Sequence, residues 1–328
     1  MFSDRLSTAT GEKEYGMRAV TVSSFGAPAE LTATDRPAPG RDELLVRVEA
    51  AALNPVDRRI ANGDLRVRLP HRFPLVPGTD GAGVVVGMGS RVTGFRIGQR
   101  VAGRFDTPPL GRGCFAEYAV ISAHGLVAAI PDGLSAHIAA AVPVAGTAAH
   151  CLSQWVGTEG RKTVLIVGAA GGVGSFLVQL AALHGGYVIA TARRQDVERL
   201  RALGAAEVVE YTESVVLDQV TAGYPDGVDV LIDLVGTPAQ FRVFARTVRP
   251  GGVALSTTAS ADATHLHRLD LEGGNFQNTA SAGDLAELLR DIAGKRITAP
   301  IEHAVRLDDV PALLGRVRGG RGKTIVTI

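Results

Sequence analysis

A glycine-rich turn between an apolar strand and an apolar helix is the segment with the clearest chemistry. Its residues are Ala169, Ala170, Gly171, Gly172, Val173 and Gly174, within TVLIVGAAGGVGSFLVQLAALHG. Gly171 would let the backbone approach a diphosphate, and Gly174 would let the helix pack closely on the strand. The free N–H groups and the positive dipole of the helix N-terminus also favour an anion here. We therefore predict that this turn binds a dinucleotide, although it could serve only to pack a helix on a sheet.

The residues after the next apolar run indicate which dinucleotide the turn would bind. About 20 residues after such a turn, an Asp or Glu usually binds the adenosine ribose. This chain has Thr191 at that place, followed by Arg193 and Arg194. A neutral residue removes the charge that would repel a 2′-phosphate, and guanidinium groups pair well with that phosphate. The pattern predicts NADP(H), unless both arginines are solvated residues at a helix start, where the helix dipole mildly disfavours them.

Composition and charge exclude several classes of protein. The 328 residues are 46% hydrophobic and 20% charged, with a net charge of +1. This balance is typical of a globular protein and gives no general attraction to nucleic acid or to a membrane surface. The two cysteines, Cys114 and Cys151, are too few for a disulfide framework or a four-thiolate metal site, which favours a reducing, cytoplasmic compartment. We expect the polar residues 1–16, which lack the apolar core of a signal peptide, to form a disordered leader.

Two kinds of sequence pattern would position these residues, and the length of the chain also predicts two domains. From Met17 onward, short β-rich runs are broken by Gly and Pro, and Val46 and Val48 alternate with polar residues as in a half-buried strand. From about Leu134, strands alternate with helices, which predicts βαβ units and a parallel sheet. The predicted strands of that sheet are 164–167, 187–191, 207–211, 228–234 and 253–256. A later amphipathic helix and a final strand indicate that the chain returns to the first domain.

Several motifs occur in one order along the chain and together resemble a known family. They are NPVDRRIANG at 54–63, FPLVPGTDGAGVVVGMGSRVTGFRIGQRVAG at 73–103, GCFAEYAVI at 113–121, IPDGLSAHIAAAVPVAGTAAHCL at 130–152 and then the glycine-rich turn. In this set the chain resembles the medium-chain dehydrogenase/reductase superfamily, specifically its zinc-free quinone oxidoreductase branch, to which zeta-crystallin belongs. The likeness covers nearly everything from Met17 onward.

The resemblance implies an α/β fold in two domains. A Rossmann domain with a doubly wound parallel sheet would cover 143–283. It would be inserted in a β-rich, GroES-like, partly barrelled catalytic domain formed by 17–142 and 284–328. The cofactor and the substrate would lie in the cleft between the two domains. The resemblance also implies a homodimer that pairs the edges of the Rossmann sheets, with 275–279 as the candidate edge.

The resemblance further implies which residues hold the cofactor. Tyr211, at the end of the third strand, and Arg318, before the final strand, would join Arg193 at the 2′-phosphate of NADPH. Tyr211 could equally be a core or rim aromatic residue, and Arg318 a solvated charge. The family's motifs place further cofactor contacts at Asp57, Val235 and Gly236.

Asn54, Arg59 and Thr147 are the catalytic candidates that the resemblance implies. Asn54 and Arg59 lie on the motif that the family places beside the nicotinamide. Arg59 replaces the Tyr or Lys of other members and would donate to the oxyanion that develops during hydride transfer. Asn54 could instead be a structural turn residue, because Asn before Pro often starts a turn. An apparent one-residue deletion leaves open whether Thr147 faces the nicotinamide.

We expect no metal site in this chain. Zinc-dependent relatives carry Gly-His-Glu where this chain has Gly78-Thr79-Asp80, and their four-cysteine lobe is missing from the sequence. Cys114 and Cys151 have no partner at ligand spacing. Dehydrogenation of an alcohol needs a Lewis acid, so reduction of an already activated double bond is the more reasonable chemistry.

The resemblance thus implies an NADPH-dependent enzyme that reduces a small-molecule quinone or α,β-unsaturated carbonyl by hydride transfer. One alternative is an enoyl-thioester reductase of secondary metabolism, in which a CoA or carrier-protein phosphate could meet a run of basic residues. These residues are Arg58, Arg59, Arg66, Arg68 and Arg72, which could also form a solvated basic face. A second alternative is a protein that binds NADPH without turnover, as the likeness to zeta-crystallin allows.

Overall fold

The described part of the chain forms three β-sheets. The structure is a computed structural model, and it describes residues 16–157, 161–211, 215–315 and 320–328. Arg318 and all but the last residue of the predicted leader lie outside these ranges.

Short strands dominate the part of the chain before the glycine-rich turn. They are β1 (Gly16–Val22), β2 (Ala29–Asp35), β3 (Glu43–Ala52), β4 (His71–Val76), β5 (Asp80–Met88), β6 (Arg100–Arg104), β7 (Leu110–Arg112), β8 (Tyr118–Ser122) and β9 (Val127–Ala129). The helices in this part are α1 (Pro55–Asn62), α2 (Ala136–Ala140) and α3 (Ala145–Ser153). The smallest sheet has the strand order β2-β1-β4-β7. In the larger β-rich sheet, β3 pairs with both β5 and β8. Register shifts between β3 and β5 mark bulges, which increase the local bend and twist.

The central part of the chain forms a parallel sheet that is flanked by helices. Its elements are β10 (Thr163–Val167), α4 (Gly172–Leu183), β11 (Tyr187–Ala192), a 3₁₀ turn (Arg194–Asp196), α5 (Val197–Ala202), β12 (Glu207–Glu210), α6 (Val216–Gly223), β13 (Val228–Asp233), α7 (Pro238–Ala245), β14 (Val248–Ser256), α8 (Ala263–Arg268) and β15 (Glu272–Asn275). The strand order is β12-β11-β10-β13-β14-β15, and each neighbouring pair is parallel. This is the 3-2-1-4-5-6 order of a Rossmann sheet, so the predicted doubly wound sheet is confirmed.

The last part of the described chain adds two strands to the larger β-rich sheet. Its elements are α9 (Ala282–Ala293), β16 (Ile301–Arg306), a 3₁₀ turn (Leu307–Asp309), α10 (Val310–Leu314) and β17 (Lys323–Thr327). β17 pairs antiparallel with β3 and parallel with β16, which extends the larger β-rich sheet. That sheet is therefore built from both ends of the described chain.

One apolar cluster joins the parallel sheet to the helices around it. Ile166 of β10 and Leu177 of α4 are fully buried in this cluster, together with Leu285 and Leu289 of α9. The two leucines of α9 are four positions apart and so lie on one helix face, in agreement with the predicted amphipathic helix. None of the helices in the described ranges has the length and apolar character that a membrane span requires.

Candidate functional site

A cleft runs along the carboxyl ends of the parallel strands, where the strand order reverses between β10 and β13. It consists of a larger cavity of about 1020 Å³ and a smaller cavity of about 450 Å³. The larger cavity is lined by the ends of β10 and β11, and the smaller one by residues near α1, α4 and β17. Ligands of doubly wound sheets bind at this topological switch point.

The glycine-rich turn lies between the two cavities and starts α4. Gly171, Gly172, Val173 and Gly174 all line the smaller cavity. A Cβ on Gly174 would lie 2.5 Å from the carbonyl oxygen of Gly168, so that only glycine lets α4 pack this closely on the end of β10. The first turn of a helix carries unpaired N–H groups, which makes this wall of the cavity suitable for a phosphate. The close packing expected at Gly174 is thus present at this turn.

Three of the residues predicted at the 2′-phosphate come together in the larger cavity. Thr191, Arg193 and Tyr211 all line it, and the Arg193 Nε donates a hydrogen bond to the Tyr211 hydroxyl at 3.1 Å. The Thr191 hydroxyl accepts a hydrogen bond from the Gly168 N–H at 3.2 Å, which ties the end of β11 to the glycine-rich turn. Arg194 begins the next 3₁₀ turn and is not among the described residues that line either cavity.

Val235 and Gly236, which the resemblance assigns to the cofactor, line the larger cavity, and a buried carboxylate shapes their turn. The Asp233 Oδ1 accepts hydrogen bonds from Val235 N–H at 3.1 Å and Gly236 N–H at 2.8 Å. Burial raises the pKa of the Asp233 carboxyl above its usual value. Asp233 is not among the residues predicted from the sequence, although an acidic residue at the end of an otherwise apolar strand is a detectable signal.

Asn54 lines the smaller cavity, but its amide is used within the protein. The Asn54 Nδ2 donates to the Ala52 carbonyl oxygen at 3.2 Å and to the Asp80 Oδ2 at 2.9 Å. Its Oδ1 accepts a hydrogen bond from the Lys323 Nζ at 2.6 Å. Both amide hydrogens are therefore engaged, so Asn54 orders the cavity wall rather than presenting a free donor to a substrate.

Lys323 and Asp80 form a buried ion pair beneath Asn54. The Lys323 Nζ lies 3.2 Å from the Asp80 Oδ2, and the two residues are 4% and 0% exposed. Burial raises the pKa of the Asp80 carboxyl, while the nearby Lys323 ammonium opposes that shift. A paired and hydrogen-bonded charge is the form in which proteins tolerate buried ions. Neither residue is among the sites predicted from the sequence, where Asp80 stands only in place of part of the zinc motif of other relatives.

Asp57, which the resemblance assigns to the cofactor, is fully buried and does not line either cavity among the described residues. Its Oδ1 accepts hydrogen bonds from the Thr79 N–H and hydroxyl, both at 2.8 Å, and its Oδ2 accepts from the Asn54 N–H at 2.7 Å. Burial outweighs these three bonds and raises the pKa of Asp57 to about 7. The structure thus gives this carboxylate partners within the fold.

Two of the catalytic candidates are not brought to the cleft. The Arg59 side chain lies on the surface of α1 and is 54% exposed. Its Nε lies 4.0 Å from the Asp64 Oδ2. Thr147 is fully buried in α3, donates to the Pro143 carbonyl oxygen and accepts from the Asn278 Nδ2 at 2.9 Å. Neither residue is among the described residues that line the cavities, because α1 and α3 turn these positions away from the cleft.

The cysteines and histidines form no metal cluster within the described ranges. Cys114 is buried, and its thiol donates to the carbonyl oxygens of Gly78 at 3.2 Å and Asp80 at 3.0 Å. Burial raises the pKa of this thiol well above its usual value, so it stays protonated and unreactive.

The chain matches two family models, one over the β-rich part and one over the part that forms the parallel sheet. The model of the alcohol dehydrogenase GroES-like domain matches residues 40–132, and the model of the zinc-binding dehydrogenase matches residues 172–291. These matches agree with the predicted GroES-like and Rossmann fold class, which is confirmed.

Several curated proteins are similar in sequence. A quinone-oxidoreductase homolog from the chloroplast of Spinacia oleracea is 41% identical over 60% of this chain and 61% of its own length. The quinone oxidoreductase of Lama guanicoe is 34% identical over 69% of this chain and 68% of its own length. The chain thus spans less than two thirds of the length of the first of these relatives.

Solved structures extend the likeness to nearly the whole chain. The quinone oxidoreductase from Coxiella burnetii superposes with a TM-score of 0.83 at 27% identity, over 95% of this chain and 99% of that one. A quinone oxidoreductase from Pseudomonas syringae superposes with a TM-score of 0.80 at 26% identity, over 96% of this chain and 99% of that one.

Proposed function

The chain belongs to the quinone oxidoreductase branch of the medium-chain dehydrogenase/reductase superfamily, and on this premise we propose that it is an NADPH-dependent reductase of quinones or α,β-unsaturated carbonyls. The relatives named as quinone oxidoreductases support the first substrate class. A 2-methylene-furan-3-one reductase of Solanum lycopersicum, 36% identical over 67% of this chain and 55% of its own length, supports the second. Both classes offer an electrophilic carbon that is conjugated to a carbonyl group.

The hydrogen-bonded pair of Arg193 and Tyr211 is the observation that carries the choice of NADPH. Both side chains face the larger cavity beside the neutral Thr191, where a guanidinium and a hydroxyl can bind a phosphate together. Asp196 also lines this cavity, but its Oδ1 lies 2.9 Å from Arg321 Nε and 3.5 Å from Arg199 Nη2. The Arg199 guanidinium alone keeps this carboxylate paired, so repulsion of a 2′-phosphate is weak whether or not Arg321 contacts Asp196.

The residues that line the cleft suit binding and orientation more than acid–base catalysis. When bound, the nicotinamide cofactor supplies the hydride. The glycine-rich turn would hold the diphosphate of the cofactor. Val235 lies on the turn that Asp233 stabilises and would pack against the cofactor. The ion pair of Lys323 and Asp80 keeps Asn54, and with it the start of α1, in place along the smaller cavity. This fixed wall would align the substrate with the hydride donor, an effect that accounts for much of the rate of such reactions.

Steady-state oxidation of NADPH tests this proposal. The purified protein should oxidise NADPH with 1,4-benzoquinone or 9,10-phenanthrenequinone as the acceptor. Faster turnover with an enoyl-CoA would instead favour an enoyl-thioester reductase, a possibility that a trans-enoyl reductase of Aspergillus japonicus raises at 33% identity over 60% of this chain and 59% of its own length. Binding of NADPH without turnover of any of these acceptors would contradict the proposal.

A further inference from the structure

Arg321 lies at the junction of the two cavities. The described residues that line both of them are Gly168, Gly171, Val235, Gly320 and Arg321. Among these, Arg321 alone has a charged side chain, which is 39% exposed. We propose that Arg321 binds the diphosphate of the cofactor and so sets the affinity for NADPH and NADH alike. This inference rests on the proposed function, because it requires a dinucleotide in the cleft.

Main-chain contacts fix Arg321 beside the glycine-rich turn. The Gly322 N–H donates to the Ala170 carbonyl oxygen at 2.9 Å, and Gly322 forms a single parallel bridge with Gly171. Gly322 has a φ of +52°, and a Cβ there would lie 2.5 Å from the Pro300 carbonyl oxygen. Only glycine accepts this conformation and this contact without strain. The position of Arg321 next to the start of α4 therefore does not depend on its own side chain.

The two cavities assign the two halves of a dinucleotide. Arg193 and Tyr211, the pair suited to a 2′-phosphate, lie in the larger cavity, which therefore takes the adenosine half. The smaller cavity, which Asn54 and Lys323 line, takes the nicotinamide half. The diphosphate links the two halves and must lie where the cavities meet. Arg321 and the first turn of α4 are the positively polarised groups at that place.

Two carboxylates balance the charge of Arg321. Its Nε lies 2.9 Å from the Asp196 Oδ1, and its Nη1 lies 3.1 Å from the Glu302 Oε1. The Asp196 Oδ1 is buried and makes no hydrogen bond within the described ranges, so its contact with Arg321 is ionic without the alignment of a hydrogen bond. Such a contact holds the guanidinium near the junction and restrains its direction only weakly.

Asp196 keeps a second cation when Arg321 turns towards a phosphate. The Arg199 Nη2 lies 3.5 Å from the Asp196 Oδ1. Arg199 is itself held by hydrogen bonds from its Nη2 to the Ala170 carbonyl oxygen at 2.9 Å and from its Nη1 to the Ser175 hydroxyl at 3.1 Å. The departure of Arg321 therefore does not leave a buried carboxylate without a partner, which is the costly outcome in such clusters.

Calorimetric titration separates the role of Arg321 from that of Arg193. For Arg321→Ala we expect the Kd of NADPH and the Kd of NADH to rise by a similar factor, about tenfold or more, because both cofactors carry the diphosphate. Adenosine 2′-monophosphate, which has the 2′-phosphate and no diphosphate, should bind this variant as it binds the wild type. Arg193→Ala should lose affinity for NADPH and for adenosine 2′-monophosphate, and keep it for NADH. Arg296→Ala, an exposed arginine that is paired with Asp291 away from both cavities, is the matched control.

A loss of NADPH binding alone in Arg321→Ala would assign this residue to the 2′-phosphate and overturn the inference. Unchanged affinity for both cofactors would also overturn it. Arg321→Lys guards against a variant that fails to fold, since it keeps the charge and most of the stem. An equal, smaller loss for both cofactors supports the inference, whereas a loss for NADPH alone contradicts it. A wild-type protein that binds neither dinucleotide would overturn the proposed function instead.

Discussion

We expect the choice between NADPH and NADH to depend most directly on Arg193, which lines the larger cavity beside Tyr211. We expect Arg193→Ala to remove most of the preference for NADPH over NADH, since a charge-assisted contact with a phosphate contributes about 1.5–3 kcal/mol, a factor of about ten to a hundred. The ratio of kcat/KM for the two cofactors measures this effect. Arg194→Ala is the control, because Arg194 follows directly in sequence and lines neither cavity among the described residues. An equal loss for both cofactors would mean that the substitution harmed the fold.

The buried Asp57 carboxyl links the stability of the protein to pH. Its pKa of about 7 lies above the usual value of an unfolded aspartate, so the folded state binds the proton more tightly. The free energy of unfolding should therefore fall as the pH rises from about 4 to about 7 and change little above that range. The contribution of this group is at most roughly 4 kcal/mol, from three pH units at 1.36 kcal/mol each.

Urea denaturation of the wild type and of Asp57→Asn across this pH range measures the effect. Asparagine cannot ionise, so the difference in stability between the two proteins should shift towards the variant as the pH rises. A difference that is constant with pH would contradict the raised pKa of Asp57.

At the scale of elements, the contact of α4 with β10 depends on the absence of a side chain at Gly174. A Cβ would lie 2.5 Å from the Gly168 carbonyl oxygen and 2.6 Å from the Ala169 Cα, both of which are backbone atoms. We expect Gly174→Ala to destabilise the protein by about 1–3 kcal/mol and to weaken the binding of both cofactors, because α4 must move. Thermal unfolding and cofactor titration check the two parts of this prediction.

Gly223→Ala is the matched control for that substitution. Gly223 is the last residue of α6, and a Cβ there meets nothing within 4 Å. Because alanine is the better helix former, this variant should be as stable as the wild type or slightly more stable. If both variants were destabilised alike, the close packing of α4 on β10 could not be the cause.

The elements of the parallel sheet could be predicted from the sequence because their signals are local. Apolar runs that end in turns predict the bounds of β10 to β13 to within one or two residues of the observed bounds. β14 is longer than predicted, since it begins at Val248 and passes through Pro250 and two glycines, which usually indicate a turn. A register shift in its pairing with β13 accommodates this irregular stretch.

The polar cluster of the smaller cavity could not be predicted in the same way. Lys323 and Asn54 are 269 positions apart in sequence, and their contact depends on the pairing of β17 with β3. The resemblance pointed to the motif at 54–63, whose first residues line this cavity, but not to the direction of each side chain. Arg59 and Asp57 both lie on α1, yet one faces solvent and the other is buried, because the orientation of a short helix is set by tertiary packing.

For the molecule as a whole, we predict that the outer strand of the parallel sheet pairs with a second copy. β15 is the edge strand next to β14, and an unpaired edge tends to associate with other strands. The region 275–279, predicted as the edge, begins where this strand ends. We expect light scattering at micromolar concentration to show a homodimer. A monomer that persists across the concentration range would contradict the pairing of these edges.

The pairing of β17 with β3 also has a consequence for the synthesis of the protein. The end of β3 cannot pair with β17 until residues 325–327 have left the ribosome, because these residues pair with Ala52, Ala51 and Ala50. Until then, β3 has an open edge, and the ammonium that neutralises the buried Asp80 is missing. The smaller cavity is therefore completed only after residues 323–327 have been translated, so its wall forms late through contacts between residues that are far apart in sequence.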